Sequence, residues 1–131
     1  MSITLETDPQ RQWLVATATG VITIDAVAEL LRTARAPIEL RMKPMLFHAR
    51  GATTSMTDED VDTAIGVVRA AIASGPRGHV ALVADDDRFY AWLMMYEVRC
   101  AAIGVRSIRV FRRRPDAERW LEVMSATRNL Y

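Results

Sequence analysis

The feature that most restricts how this chain can fold is a strand-then-helix unit recurring about every 30 residues, the length of a βαβ element. Two short apolar runs anchor the repeat. PMLFHARG, bounded by Pro44 and Gly51, and GHVALVADD, residues 78–86, are almost free of polar residues inside, as strands buried on both faces are. SIRVFRRR, from Ser107, reads as a further strand.

Helical patterns separate these runs. TIDAVAELLRTA is capped by Thr23 and places Val27, Leu30, Leu31 and Ala34 on one face. In the second helix Val61, Ala64, Ile65, Val68 and Ile72 share a face, and Ser74-Gly75-Pro76 stops it. DDRFYAWLMMYEVRCAAIG is a long third helix ended by Gly104, and PDAERWLEVM a last one with Pro115 near its first turn. Strands joined by helical crossovers pair in parallel, because the crossover returns the chain to the same end. The opening segment differs. Ile3 and Leu5 alternate with Thr4 and Glu6, Asp8-Pro9 turns the chain, strand character resumes over Trp13 to Thr19, and Gly20 breaks it. That pattern predicts a hairpin. The expectation is one α/β domain over residues 1–131, a five-stranded mixed sheet with an antiparallel first strand and then four consecutive βα units, and a frayed tail over residues 125–131.

Composition narrows the function classes. The 131 residues suit a single domain, which at this size buries roughly two-thirds of its unfolded surface. Seventeen basic residues stand against 16 acidic ones, for a net charge of +1. No bulk field therefore draws in nucleic acid or an anionic membrane. Cys100 is the sole cysteine, which excludes an intrachain disulfide and thiol-rich metal sites. MSITLETDPQ has no basic stretch followed by an apolar run, so no signal peptide is expected. No apolar stretch approaches the ~18 residues of a membrane span. These features predict a cytoplasmic protein.

Four hydroxyls crowd the stretch HARGATTSMTDEDVDTAI, residues 48–65: Thr53, Thr54, Ser55 and Thr57. Thr57-Asp58-Glu59-Asp60 is a variant capping box, and its acids complement the positive helix end. The same carboxylates would repel a bound anion or an added phosphate. Thr53, Thr54 and Ser55 are not needed for the cap and read as solvated loop or a partner surface. Asp85-Asp86-Asp87 sits where open α/β sheets bind ligands, but consecutive side chains diverge, so a cap and acidic first turn is the simpler account. His48 and His79 lack a nucleophile elbow and an identifiable third metal ligand. No catalytic residue, metal or cofactor is assigned. Arg109, Arg112, Arg113 and Arg114 make the last strand's end basic without a stacking platform for bases. Pairing with nearby acids, or an acidic patch on a partner, explains them better.

The third helix is the most informative element. Phe89, Leu93, Tyr96, Cys100 and Ile103 form one stripe, and Trp92, Met94, Met95 and Val98 extend apolar character around most of the circumference. Such a helix is buried on two sides or lies at an interface. Two functions follow. The first is a non-enzymatic interaction module, a homodimer through this helix, with Trp92, Met95, Tyr96 and Arg99 in the contact and Thr54 and Ser55 as a second surface. The alternative is a carrier or sensor of a small apolar or acyl ligand, with Trp92, Met94 and Met95 lining a pocket between helix and sheet.

The order β-β-α-β-α-β-α-β-α resembles the anti-sigma-factor-antagonist and sulfate-transporter (STAS) domain class, most closely its small stand-alone bacterial proteins. The likeness lies in GHVALVADDDRFYAWLMMYE, residues 78–97, and in SIRVFRRRPDAERWL, which closes on Trp120-Leu121. It implies a STAS-like fold. In signalling members a serine or threonine at the start of the helix after the third strand is phosphorylated by a partner kinase, in an Asp-Ser-Ser-Gly-like setting. The matching region here, Ala52 to Thr57, offers Thr54, Ser55 and Thr57 without the leading Asp or the following Gly. Related α/β folds that carry lipids use a similar helix-over-sheet arrangement.

Overall fold

A computed structural model describes residues 2–35, 37–72 and 77–129. Strands β1 (Ser2–Thr7) and β2 (Leu14–Thr19) form the expected antiparallel hairpin, with Ile3 opposite Ala18 and Leu5 opposite Ala16. Asp8 holds the turn, its Oδ1 accepting from the backbone N–H groups of Gln10 and Arg11 at 2.9 and 3.0 Å. Strands β4 (Met45–Ala49), β6 (Val80–Ala84) and β7 (Ile108–Phe111) then add in parallel, giving the sheet order β1-β2-β4-β6-β7. This is the mixed five-stranded sheet that the recurring unit predicts.

Three helices cover one face: α1 (Ile24–Arg35), α3 (Asp58–Ile72) and α4 (Asp87–Ala102). Met45, Phe47 and Ala49 of β4 and Val80, Leu82 and Ala84 of β6 point toward them. The intervening Leu46, Ala81 and Val83 pack on the other face with Trp13, Ala117 and Leu121, beneath α5 (Arg114–Asn129). Alternate residues of one apolar run thus serve two layers, which is why those runs show no polar alternation.

Helix ends follow their local chemistry. In α4 the Asp86 carboxylate caps the start, accepting from Phe89 N at 2.9 Å. Gly104, at φ +92°, closes the other end, while Gly104 N donates to Ala101 O and Val105 N to Cys100 O. That paired bonding is a Schellman closure, which favours glycine at the left-handed position. At α3, Thr57 N donates to Asp60 Oδ2 (2.9 Å) and Asp60 N to Thr57 Oγ1 (3.4 Å), the reciprocal cap read from the sequence.

Two features carry no periodic signal and were not expected. Strands β3 (Val21–Ile22) and β5 (Thr53–Thr54) pair in parallel as a separate two-stranded sheet. A single turn, α2 (Ile38–Arg41), follows Pro37. Helix α5 continues through residues 125–129, where fraying was expected, and the last two residues of that tail, 130–131, lie outside the described residues. So does the Ser74-Gly75-Pro76 stop of α3.

Candidate functional site

The site is built on the inner face of α4. Phe89, Trp92, Leu93, Tyr96 and Cys100 are all buried, an arc of roughly 100° on a helical wheel. Trp92 and Tyr96, one turn apart, stack with ring centroids 5.9 Å apart and planes within 6°. Each is only 6% exposed. Trp92 Nε1 donates to Thr57 O at 3.0 Å, tying α4 to the hydroxyl-rich segment.

The remaining candidates on α4 face elsewhere. Met94 is 37% exposed and Val98 63%, so the outer face of the helix is apolar too. Met95 is half-buried and lines an open groove of about 640 Å³ with Met56, Thr57, Asp58, Arg88 and Trp92. Arg99 is paired with Asp62 of α3. The structure therefore brings Trp92, Met95 and Thr57 to one groove, which Met94 and Arg99 do not line.

Beneath Trp92 and Tyr96 lies a second, largely apolar cavity of about 50 Å³, bounded by α1, α4 and the sheet. Leu30, Phe47, Leu82 and Leu93 are among its walls, and Arg35 and Arg77 close one end. Arg35, at the end of α1, is 2% exposed. Its Nη1 donates to Lys43 O (3.1 Å) and its Nη2 to Arg41 O (2.6 Å) and Gly78 O (3.3 Å). Gly78 is required here. A Cβ at that position would lie 2.6 Å from Met42 O and 2.7 Å from Lys43 O, and Gly78 N donates to Arg41 O at 2.7 Å.

Electrostatically this end is unusual. Burial, then repulsion from Arg77, lowers the Arg35 pKa to about 10. Burial is also the main cause of the lowered Arg77 value. Burial raises Tyr96 well above the ordinary phenol and Cys100 to about 11. Both neighbours are therefore neutral near pH 7 and supply no counter-charge.

The hydroxyl segment divides in use. Thr54 is buried, its Oγ1 donating to Ile22 O (2.7 Å) and accepting from Met56 N (3.0 Å), so it fastens β5 to β3. Thr57 is spent on the α3 cap, and Ser55 is exposed. The three aspartates of 85–87 turn to three partners: Gly51 N, Phe89 N and Arg112. Among the described residues no three His, Cys, Asp or Glu side chains converge as a metal site. His48 lies near the C-terminal end of β4, 3.4 Å from Arg114, and His79 before β6 at the sheet's other end. Burial, then the nearby Arg114 charge, lowers the His48 pKa.

Sequence reasoning missed Arg35 and Arg77. For Arg35 a signal existed, because it falls four residues after Leu31 and seven after Ala28, in line with the apolar stripe of α1. Arg77 stands alone before β6 and carries no such pattern.

No protein-family model matches the chain, and no curated protein matches it. Among solved structures it is similar to an uncharacterised protein of the DUF3478 family, with a SpoIIAA-like fold, from Shewanella loihica PV-4. The TM-score is 0.53 at 17% identity, and the match covers 92% of each chain. The chain thus has a SpoIIAA-like fold, the architecture its resemblance to the STAS class implies.

Proposed function

We propose that this protein binds a small apolar or acyl ligand between α4, α1 and the sheet, with Trp92 and Tyr96 as one wall. The observation that carries the reading is the orientation of those two rings. They face inward onto an apolar cavity instead of outward toward a partner. At about 50 Å³ the cavity exceeds the ~10–15 Å³ a single water needs, yet falls short of the ~150 Å³ that takes up benzene. Ligand entry on this reading includes an outward movement of α1 or α4. No catalytic group or resident cofactor is invoked, and the protein acts in the cytoplasm. No described helix is long and apolar enough to cross a membrane. Native mass spectrometry at low micromolar concentration tests the proposal, with thermal-shift assays against acyl compounds. Added mass that survives purification, or a shift of several degrees, is expected. A bare chain with no shift would count against it.

A homodimeric interaction module is the second reading, favoured by the exposure of Met94 and Val98 one turn apart on the outer face of α4. Trp92 is a poor probe of it, since its removal disturbs the core. Met94→Glu with Val98→Glu leaves the core intact. On this reading the native mass is that of a dimer and the double variant is a soluble monomer. An unchanged mass would remove α4 from any interface. Ser55, exposed and outside the α3 cap, is the candidate hydroxyl for phosphoregulation within this second reading.

A further inference from the structure

Resting on the ligand reading above, we propose that the arginine end of the pocket is a carboxylate site, so that the ligand is an amphipathic acid with its head at Arg77 and Arg35 and its tail along Trp92 and Tyr96.

Arg77 supplies the first observation. Its Nε and Nη2 are both buried and have no hydrogen-bond partner among the described residues. These two nitrogens share one edge of the guanidinium, the edge that receives a carboxylate through two parallel N–H···O bonds. Buried donors are nearly always satisfied in native structures, so two unsatisfied donors on one edge mark a place shaped for an acceptor.

The surroundings point the same way. Arg35 Nε is also buried and unpartnered, while its other nitrogens are tied to Lys43 O, Arg41 O and Gly78 O. That guanidinium is fixed in place with one donor left over. A third arginine also has an unpartnered buried nitrogen, Arg41 Nε on α2, and the Arg41 charge is felt at Arg77. Three positive groups thus gather, and none of the ion pairs formed by described residues involves any of them. Tyr96 and Cys100, the titratable groups beside them, are held neutral by burial. Buried charges are ordinarily paired, and here the missing partner is an anion. Apart from Ser107 the rest of the lining is apolar or aromatic, so an inorganic ion alone would leave those walls without a matching partner. A planar carboxylate on an apolar tail satisfies both ends.

The test compares octanoate with octan-1-ol by calorimetric titration of the full chain, native and Arg77→Gln. Octanoate is expected to bind at least about tenfold tighter than the alcohol, and Arg77→Gln to abolish that preference. Equal affinity for both probes in the native protein overturns the carboxylate site and leaves the apolar pocket standing. Binding of neither overturns both. A preference that survives Arg77→Gln overturns the assignment to Arg77. The melting temperature of unliganded Arg77→Gln separates a binding role from a structural one. It is expected to equal or exceed that of the native chain, because two buried, unsatisfied donors are removed, whereas a fall of several degrees would make Arg77 a structural residue and overturn the proposal.

Discussion

Around α5 and the end of β7 the arginines meet acids: Arg11 reaches Glu118 and Glu122, Arg112 reaches Asp87, Arg114 reaches Glu118, and Arg119 reaches Asp116. In the buried cluster Arg35 meets backbone carbonyls and feels the repulsion of Arg77. Arg35 and Arg41 are 2% and 9% exposed and have no acidic partner among the described residues. The first group is solvated, and each pair there contributes about 0–1 kcal/mol. The second group bears the desolvation of buried charge without a compensating anion. A chain with 16 acidic residues has the means to pair those charges and, among the described residues, does not. The contrast separates arginines that tune a surface from arginines whose burial weakens the unliganded fold, the usual mark of a group kept for function.

The largest expected effect tests whether the buried cluster depends on the close approach of two backbone segments. Gly78→Ala brings a methyl into the Met42 and Lys43 carbonyls and should cost about 3 kcal/mol, a drop in melting temperature of roughly 10 °C. A loss under about 1 kcal/mol would show that residues 42–43 give way easily. Arg35→Met comes next. It leaves the carbonyls of Lys43, Arg41 and Gly78 without their donor but also removes a desolvated charge. The net loss in chemical denaturation should be about 2 kcal/mol. No loss would place Arg35 with Arg77 as a residue dispensable to the fold.

The two regions were unequally legible in the sequence. Strands β4 and β6 announced themselves because Pro44, Gly51 and Gly78 bound apolar runs too short for helices, and Gly104 marked the end of α4 by the conformation only glycine adopts cheaply there. Thr57 was readable as a cap from its spacing to Asp60. Trp92 was not readable. An apolar residue on a helix that is apolar most of the way round can face either layer, and only the placement of the sheet decides that it turns inward while Met94 and Val98 turn out. Strands β3 and β5, two residues each, are held by Thr54 Oγ1 and a parallel pairing with a partner 32 residues away, which no local pattern encodes. The arginine pocket was hidden for the opposite reason. Arginine is read by default as a surface residue, and its burial here follows from Gly78, whose close packing is a tertiary fact.

The smallest effect belongs to the surface group, where the comparison is easiest to break. Arg112 reaches Asp87 at 2.6 Å and also lies 4.7 Å above the Tyr90 ring, but its side chain is 43% exposed and that of Asp87 is 94% exposed. Water competes for both partners, and holding two flexible side chains in one geometry costs entropy. Arg112→Ala should therefore change stability by about 0.5 kcal/mol in low salt, and by less in 1 M salt, where the screening length is ~3 Å. Urea denaturation at the two ionic strengths measures both values. A salt-independent loss above about 1 kcal/mol would mean that Arg112 acts mainly through its stacking on Tyr90, a short-range cation–π contact that salt screens little. The difference between the two arginine groups would then be one of partner type more than of solvation. A small, salt-sensitive loss beside the larger loss at Arg35 would leave burial as the variable that separates them.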